Sequence, residues 1–116
     1  MIDDLGPAEL RPLVLDIIAR MPDARNPTEE DYPSVCLYTD PDDPSRHCIA
    51  GQLAASEGWR VPGPNVLSGA CAVADDYGWP LSAEATVALR RVQAAADSGV
   101  RSWGSPEVRA AIEAMA

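Results

Sequence analysis

The chain has 116 residues, a net charge of −9 and 47% apolar content, which fits one domain able to bury roughly two-thirds of its unfolded surface without a disulfide framework. The charge is uneven: residues 1–43 hold eleven acids against three arginines, and residues 44–116 hold seven against six. Such a surface repels nucleic-acid backbone and anionic membrane, so neither is expected as a direct partner, whereas a basic protein is.

The first predicted element is a helix over residues 7–21, where Leu10, Leu13, Val14, Ile17, Ile18 and Met21 form one apolar stripe. Pro12 is best accommodated in a first turn, so the regular helix is expected to begin nearer residue 11, and Pro22 stops it. Residues 22–34 contain three prolines and many polar side chains and read as a loop. The run Ser34–Thr39 favours a strand, and the proline- and aspartate-rich residues 40–44 favour a turn. Residues 45–49 can then pair back on 35–39, with Cys36 opposite Cys48 and Tyr38 opposite Arg46.

From about Cys48 the pattern becomes helical, with Ile49, Leu53 and Ala54 on one face and Gly58 as C-cap. Gly51 lies inside this helix at a cost of about 1 kcal/mol against alanine, which a close approach by another backbone would explain. Asn65 is placed to cap a helix running to about Tyr77, with Val66, Ala70, Val73 and Tyr77 on one side, broken by Gly78-Trp79-Pro80. Ser82 caps the fourth helix, Glu84 complements its dipole, and Ala85, Ala88, Leu89, Val92 and Ala96 form its stripe before Gly99. In the last helix Ser105-Pro106-Glu107 supplies a cap, a first-position proline and an early acid, followed by Val108, Ala111, Ile112 and Met115. The expected fold is mostly α: a compact single domain of about five helices with a short β-hairpin near residues 35–49.

Alanine is abundant and phenylalanine absent, which suits closely packed helices. All nine basic residues are arginine, a pattern that points to a GC-rich genome. There is no charged-then-apolar leader, no apolar run near the length of a membrane span, and an odd cysteine count, so a cytoplasmic location is expected.

Cys36, His47, Cys48 and Cys71 are the ligand types zinc prefers. The chain has no Cys-x-x-Cys pair, however, and neighbours such as His47 and Cys48 point to different faces of a helix or strand. No metal or cofactor is therefore assigned. Across the expected hairpin, Cys36 and Cys48 would be a thiol pair or redox switch; alternatively His47, oriented by Asp40, Asp42 or Asp43, would activate a cysteine nucleophile. The preferred reading of this stretch is architectural, with Cys48 buried at a helix start and His47 at the rim. Asp75-Asp76 and Arg90-Arg91 read as solvated faces. Gln93 and Asp97, one turn apart, are expected to hydrogen-bond on the helix surface, with Arg101 or the Trp103 indole N–H offsetting Asp97 at the unfavourable helix end. The same segment has Trp103 either in a structural corner or as an exposed partner anchor.

Cys36-Leu37-Tyr38, the polar turn and His47-Cys48-Ile49-Ala50-Gly51-Gln52-Leu53 together resemble small proteins of actinobacteria and their bacteriophages, which carry Cys-x-Tyr and then Cys-(Leu/Ile)-x-Gly opening a helix. The resemblance extends to a Val-Gln…Asp-x-Gly…Trp stretch, here Val92, Gln93, Asp97, Gly99 and Trp103, with Ala96 where a glutamine is usual. It implies a source and no activity. The expected function is binding of another macromolecule, with Glu29, Glu30, Asp31, Asp40, Asp42 and Asp43 as contact surface for a basic protein. The alternatives are a Cys/His enzyme or redox switch and an acidic inhibitor or immunity-type protein. The oligomeric state is left open.

Overall fold

The elements follow in the order α1 (Pro7–Arg20), β1 (Thr28–Glu29), β2 (Tyr32–Cys36), α2 (Ile49–Glu57), α3 (Ala70–Asp76), α4 (Ala83–Asp97) and α5 (Pro106–Glu113). The computed structural model describes residues 4–25, 28–29, 32–36, 38–39, 46–63, 70–97 and 101–115, with 28–29, 32–36 and 70–72 as backbone. The fold is compact and mostly helical, with a Cα radius of gyration of 12.8 Å. No helix among the described residues is long and apolar enough to cross a membrane.

Helix α4 is the hub, touching the other four helices and β2. Its stripe of Ala85, Leu89, Val92 and Ala96 is fully enclosed, and the alanines let neighbouring backbones approach. Ser82 caps it as its sequence predicts, the hydroxyl accepting from the Ala85 N–H at 3.1 Å. At the other end the Arg101 guanidinium donates to the Ala95 carbonyl at 3.2 Å, placing a cation at the negative pole of the helix. Leu10, Val14, Ile17 and Ile18 of α1 and Val108 and Ile112 of α5 complete the adjoining core.

Three expectations about helix ends are corrected. α1 begins at Pro7, whose missing N–H costs nothing at the first position, and Pro12 lies inside the helix. Pro12 withdraws a bond from the Ala8 carbonyl, but both residues are exposed, so water can replace it. Met21 is the C-cap and is 39% exposed, outside the stripe. Ser105 occupies the N-cap of α5, yet its buried hydroxyl makes no capping bond and has no partner among the described residues.

The hairpin expected near residues 35–49 is also corrected. β2 pairs antiparallel with β1, upstream of it, with Thr28 opposite Cys36 and Glu29 opposite Tyr32. Residues 46–48 form no strand, because Cys48 is already the N-cap of α2 and its carbonyl accepts the first helical bond from Gln52 at 2.8 Å. Gly58 closes α2 in the left-handed region at φ 75°, as expected.

Two backbone ties bring distant segments together. Leu5 lies beside Leu81, its N–H donating to the Pro80 carbonyl and its own carbonyl accepting from Ser82, each at 2.8 Å. The Trp103 and Gly104 N–H groups donate to the Ala24 and Pro22 carbonyls, also at 2.8 Å, locking the start of α5 onto the end of α1.

Candidate functional site

The start of α2 gathers most of the residue types with chemical potential. The first backbone N–H groups of a helix have no intrahelical partner, and two of them are met here by side chains. The Ala50 N–H donates to Gln93 Oε1 at 3.0 Å and the Gly51 N–H to Cys48 Sγ at 3.4 Å. Gln93 is therefore a buried bracket between α4 and α2, and its expected place on the helix surface is corrected.

His47 ties the preceding segment to the same point. Its Nδ1 lies 3.0 Å from the Tyr38 carbonyl and 3.2 Å from Thr39 Oγ1. Thr39 gives its single hydroxyl proton to the Pro62 carbonyl at 2.8 Å, so its oxygen faces the ring as an acceptor. Both neighbours of Nδ1 accept, which places the ring proton on Nδ1 and the lone pair of the neutral ring on Nε2.

His47 is half-buried and Cys48 fully enclosed, as the helix-start reading expects. An enclosed thiol that accepts a hydrogen bond from its own helix is placed as a packing group and a cap. Cys36 ends β2 and Cys71 is the second residue of α3, with side chains outside the described residues. Among the described residues no three His, Cys, Asp or Glu side chains assemble as a metal-binding group. Glu29 is in β1, again as backbone, and Glu30, Asp31, Asp40, Asp42 and Asp43 lie outside the described residues. Trp103 is 1% exposed, so it forms the structural corner and offers a partner no surface.

What residue periodicity does not reveal is a groove of about 620 Å³ lined by Asp4, Asp75, Trp79, Leu81, Thr86 and Val87 among others. The Leu5–Leu81 tie carries Asp4 to the end of α3. Gly78, at φ 66°, then turns the chain so that an edge of Trp79 lines the groove. The Trp79 indole N–H is fixed to the Arg60 carbonyl at 2.8 Å, and its ring centroid lies 6.0 Å from that of Trp59. A second groove of about 450 Å³ adjoins it across Ala83 and Val87 and carries charges of both signs, Glu84 and Arg91.

No family model, curated protein or solved structure matches this chain. The site rests on its own geometry, and that geometry makes a prediction for the thiol. In the native protein, alkylation of Cys48 by iodoacetamide, followed by peptide mass spectrometry, should run at least about 100-fold slower than in denaturant, because it must wait for local opening. Equal rates would mean that the thiol is reachable and would return the nucleophile reading to consideration.

Proposed function

We propose that this protein acts in the cytoplasm by binding a basic macromolecular partner, as an acidic protein of the actinobacterial or actinophage type. The observation that carries the reading is the distribution of carboxylates. Asp4, Glu9, Asp16, Asp23, Glu57, Asp75, Asp76, Glu84, Glu107 and Glu113 are all exposed, and they add to the acidic runs at 29–31 and 40–43. Eight arginines are exposed beside them, so the bias is one of net charge, −9 over the chain, and such an excess steers an oppositely charged partner. The Cys48 thiol and His47 Nδ1, by contrast, are engaged in holding the start of α2.

The test is affinity capture at about 50 and about 300 mM salt, with the retained protein identified and re-measured in purified form. The expected partner is basic, and its retention falls at least about tenfold at the higher salt. Reversing Glu29, Glu30, Asp42 and Asp43 to lysine should weaken it similarly. A neutral or acidic partner, salt-insensitive retention or no retained protein would overturn the reading.

A further inference from the structure

We infer that the groove between Asp4, the end of α3 and the first turns of α4 receives an arginine side chain from a basic segment of the partner; this rests on the reading above. Among the described residues Asp4 and Asp75 are its only charged lining residues, of one sign, and they come from segments far apart in sequence. Both are exposed, and neither carboxylate has an ion-pair partner among the described residues. Between them the lining is mixed, with Leu81 and Val87 beside Gly78 and Thr86 and only an edge of the buried Trp79. The Thr86 hydroxyl gives its proton to the Ser82 carbonyl at 2.9 Å, which leaves its oxygen an acceptor.

Two carboxylates beside a partly apolar lining complement a cation that tolerates apolar contact and can donate to more than one acceptor. A guanidinium does so: it is planar, weakly hydrated and able to give two hydrogen bonds to a carboxylate. A lysine ammonium holds its water more tightly and suits such a lining less. The neighbouring groove, with both Glu84 and Arg91, has no comparable bias. The slot is also preformed, because the Leu5–Leu81 tie and the Trp79–Arg60 bond fix its two sides.

The experiment titrates the whole protein with a blocked Gly-Arg-Gly-Arg-Gly peptide and its lysine counterpart at about 50 mM salt, following amide NMR shifts. The arginine peptide should move Asp4, Asp75, Trp79 and Val87 and bind more tightly than the lysine peptide. The double variant Asp4→Asn, Asp75→Asn should bind it at least about fivefold more weakly with unchanged melting. Glu57→Gln with Glu113→Gln, exposed carboxylates away from the groove, removes the same charge and should change affinity less than about twofold. Equal losses in both double variants would leave only the general field, overturning the slot while the basic-partner reading stands. Equal binding of the two peptides, shifts elsewhere or no binding of either would also overturn it, as would a dimer in sedimentation that the Asp4, Asp75 variant dissolves. Failure of the partner reading itself is seen separately, in the salt dependence of capture.

Discussion

Trp103→Ala should destabilise the protein by about 3–5 kcal/mol, the largest single-residue effect expected in this chain. The indole is 1% exposed and belongs to the core, at the turn where the chain passes from α4 into α5. Its backbone N–H holds Ala24, and the following Gly104 N–H holds Pro22. A Cβ on Gly104 would come within 2.9 Å of the Pro22 Cβ, so these two strands of chain cannot close further to fill a void. The cavity would therefore persist, and α5 would lose the body against which it is seated. For a domain of this length the loss corresponds to a drop in Tm of roughly 10–20 °C, measurable by thermal and urea unfolding. The outcome separates two roles for the residue. A surface anchor replaced by alanine shifts stability by less than about 0.5 kcal/mol and shows its effect in partner binding.

The helices were legible because their apolar residues recur at helical spacing and their ends carry chemistry that acts locally. Gly58 and Ser82 do at the chain level what their side chains, or lack of one, dictate. Gln93 was misread although the signal was present. It stands four residues after Leu89 and three before Ala96, on the enclosed face of α4, where a polar side chain must find a buried partner. The hairpin was misplaced for a different reason. Strand-favouring residues identify a strand and not its partner, and the segment expected to pair with it was already committed to the start of α2. Tyr38 and Thr39, read as the end of that strand, instead supply the acceptors that orient His47. The groove was out of reach of any local pattern, since Asp4 and Asp75 line it from distant segments that the tie between Leu5 and Leu81 brings together.

Gly51→Ala should destabilise by about 2 kcal/mol, against the sign that helix propensity alone predicts. In an exposed helix the change would gain about 1 kcal/mol. Here the added Cβ would run into the Tyr38 carbonyl oxygen and sit 3.0 Å from the His47 Cβ. Neither obstacle is the free end of a flexible side chain. The Tyr38 carbonyl is held by the His47 ring at 3.0 Å, Thr39 is held by Pro62, and α2 itself is pinned at Ala50 by Gln93. Relief requires backbone movement, for which overpacking costs of about 1–3 kcal/mol or more are usual. Urea unfolding gives the magnitude, and a double-mutant cycle gives the cause. If the His47 tie is what stops the Tyr38 segment from yielding, Gly51→Ala should cost at least about 0.5 kcal/mol less in a His47→Ala background. Strict additivity would place the resistance in the packing of residues 38–39 alone. A stabilised Gly51→Ala would mean that the two backbones do not approach as the structure has them. The close approach expected from an unfavourable glycine inside a helix thus becomes a measurable property of the one point where α2, α4 and the segment before α2 meet.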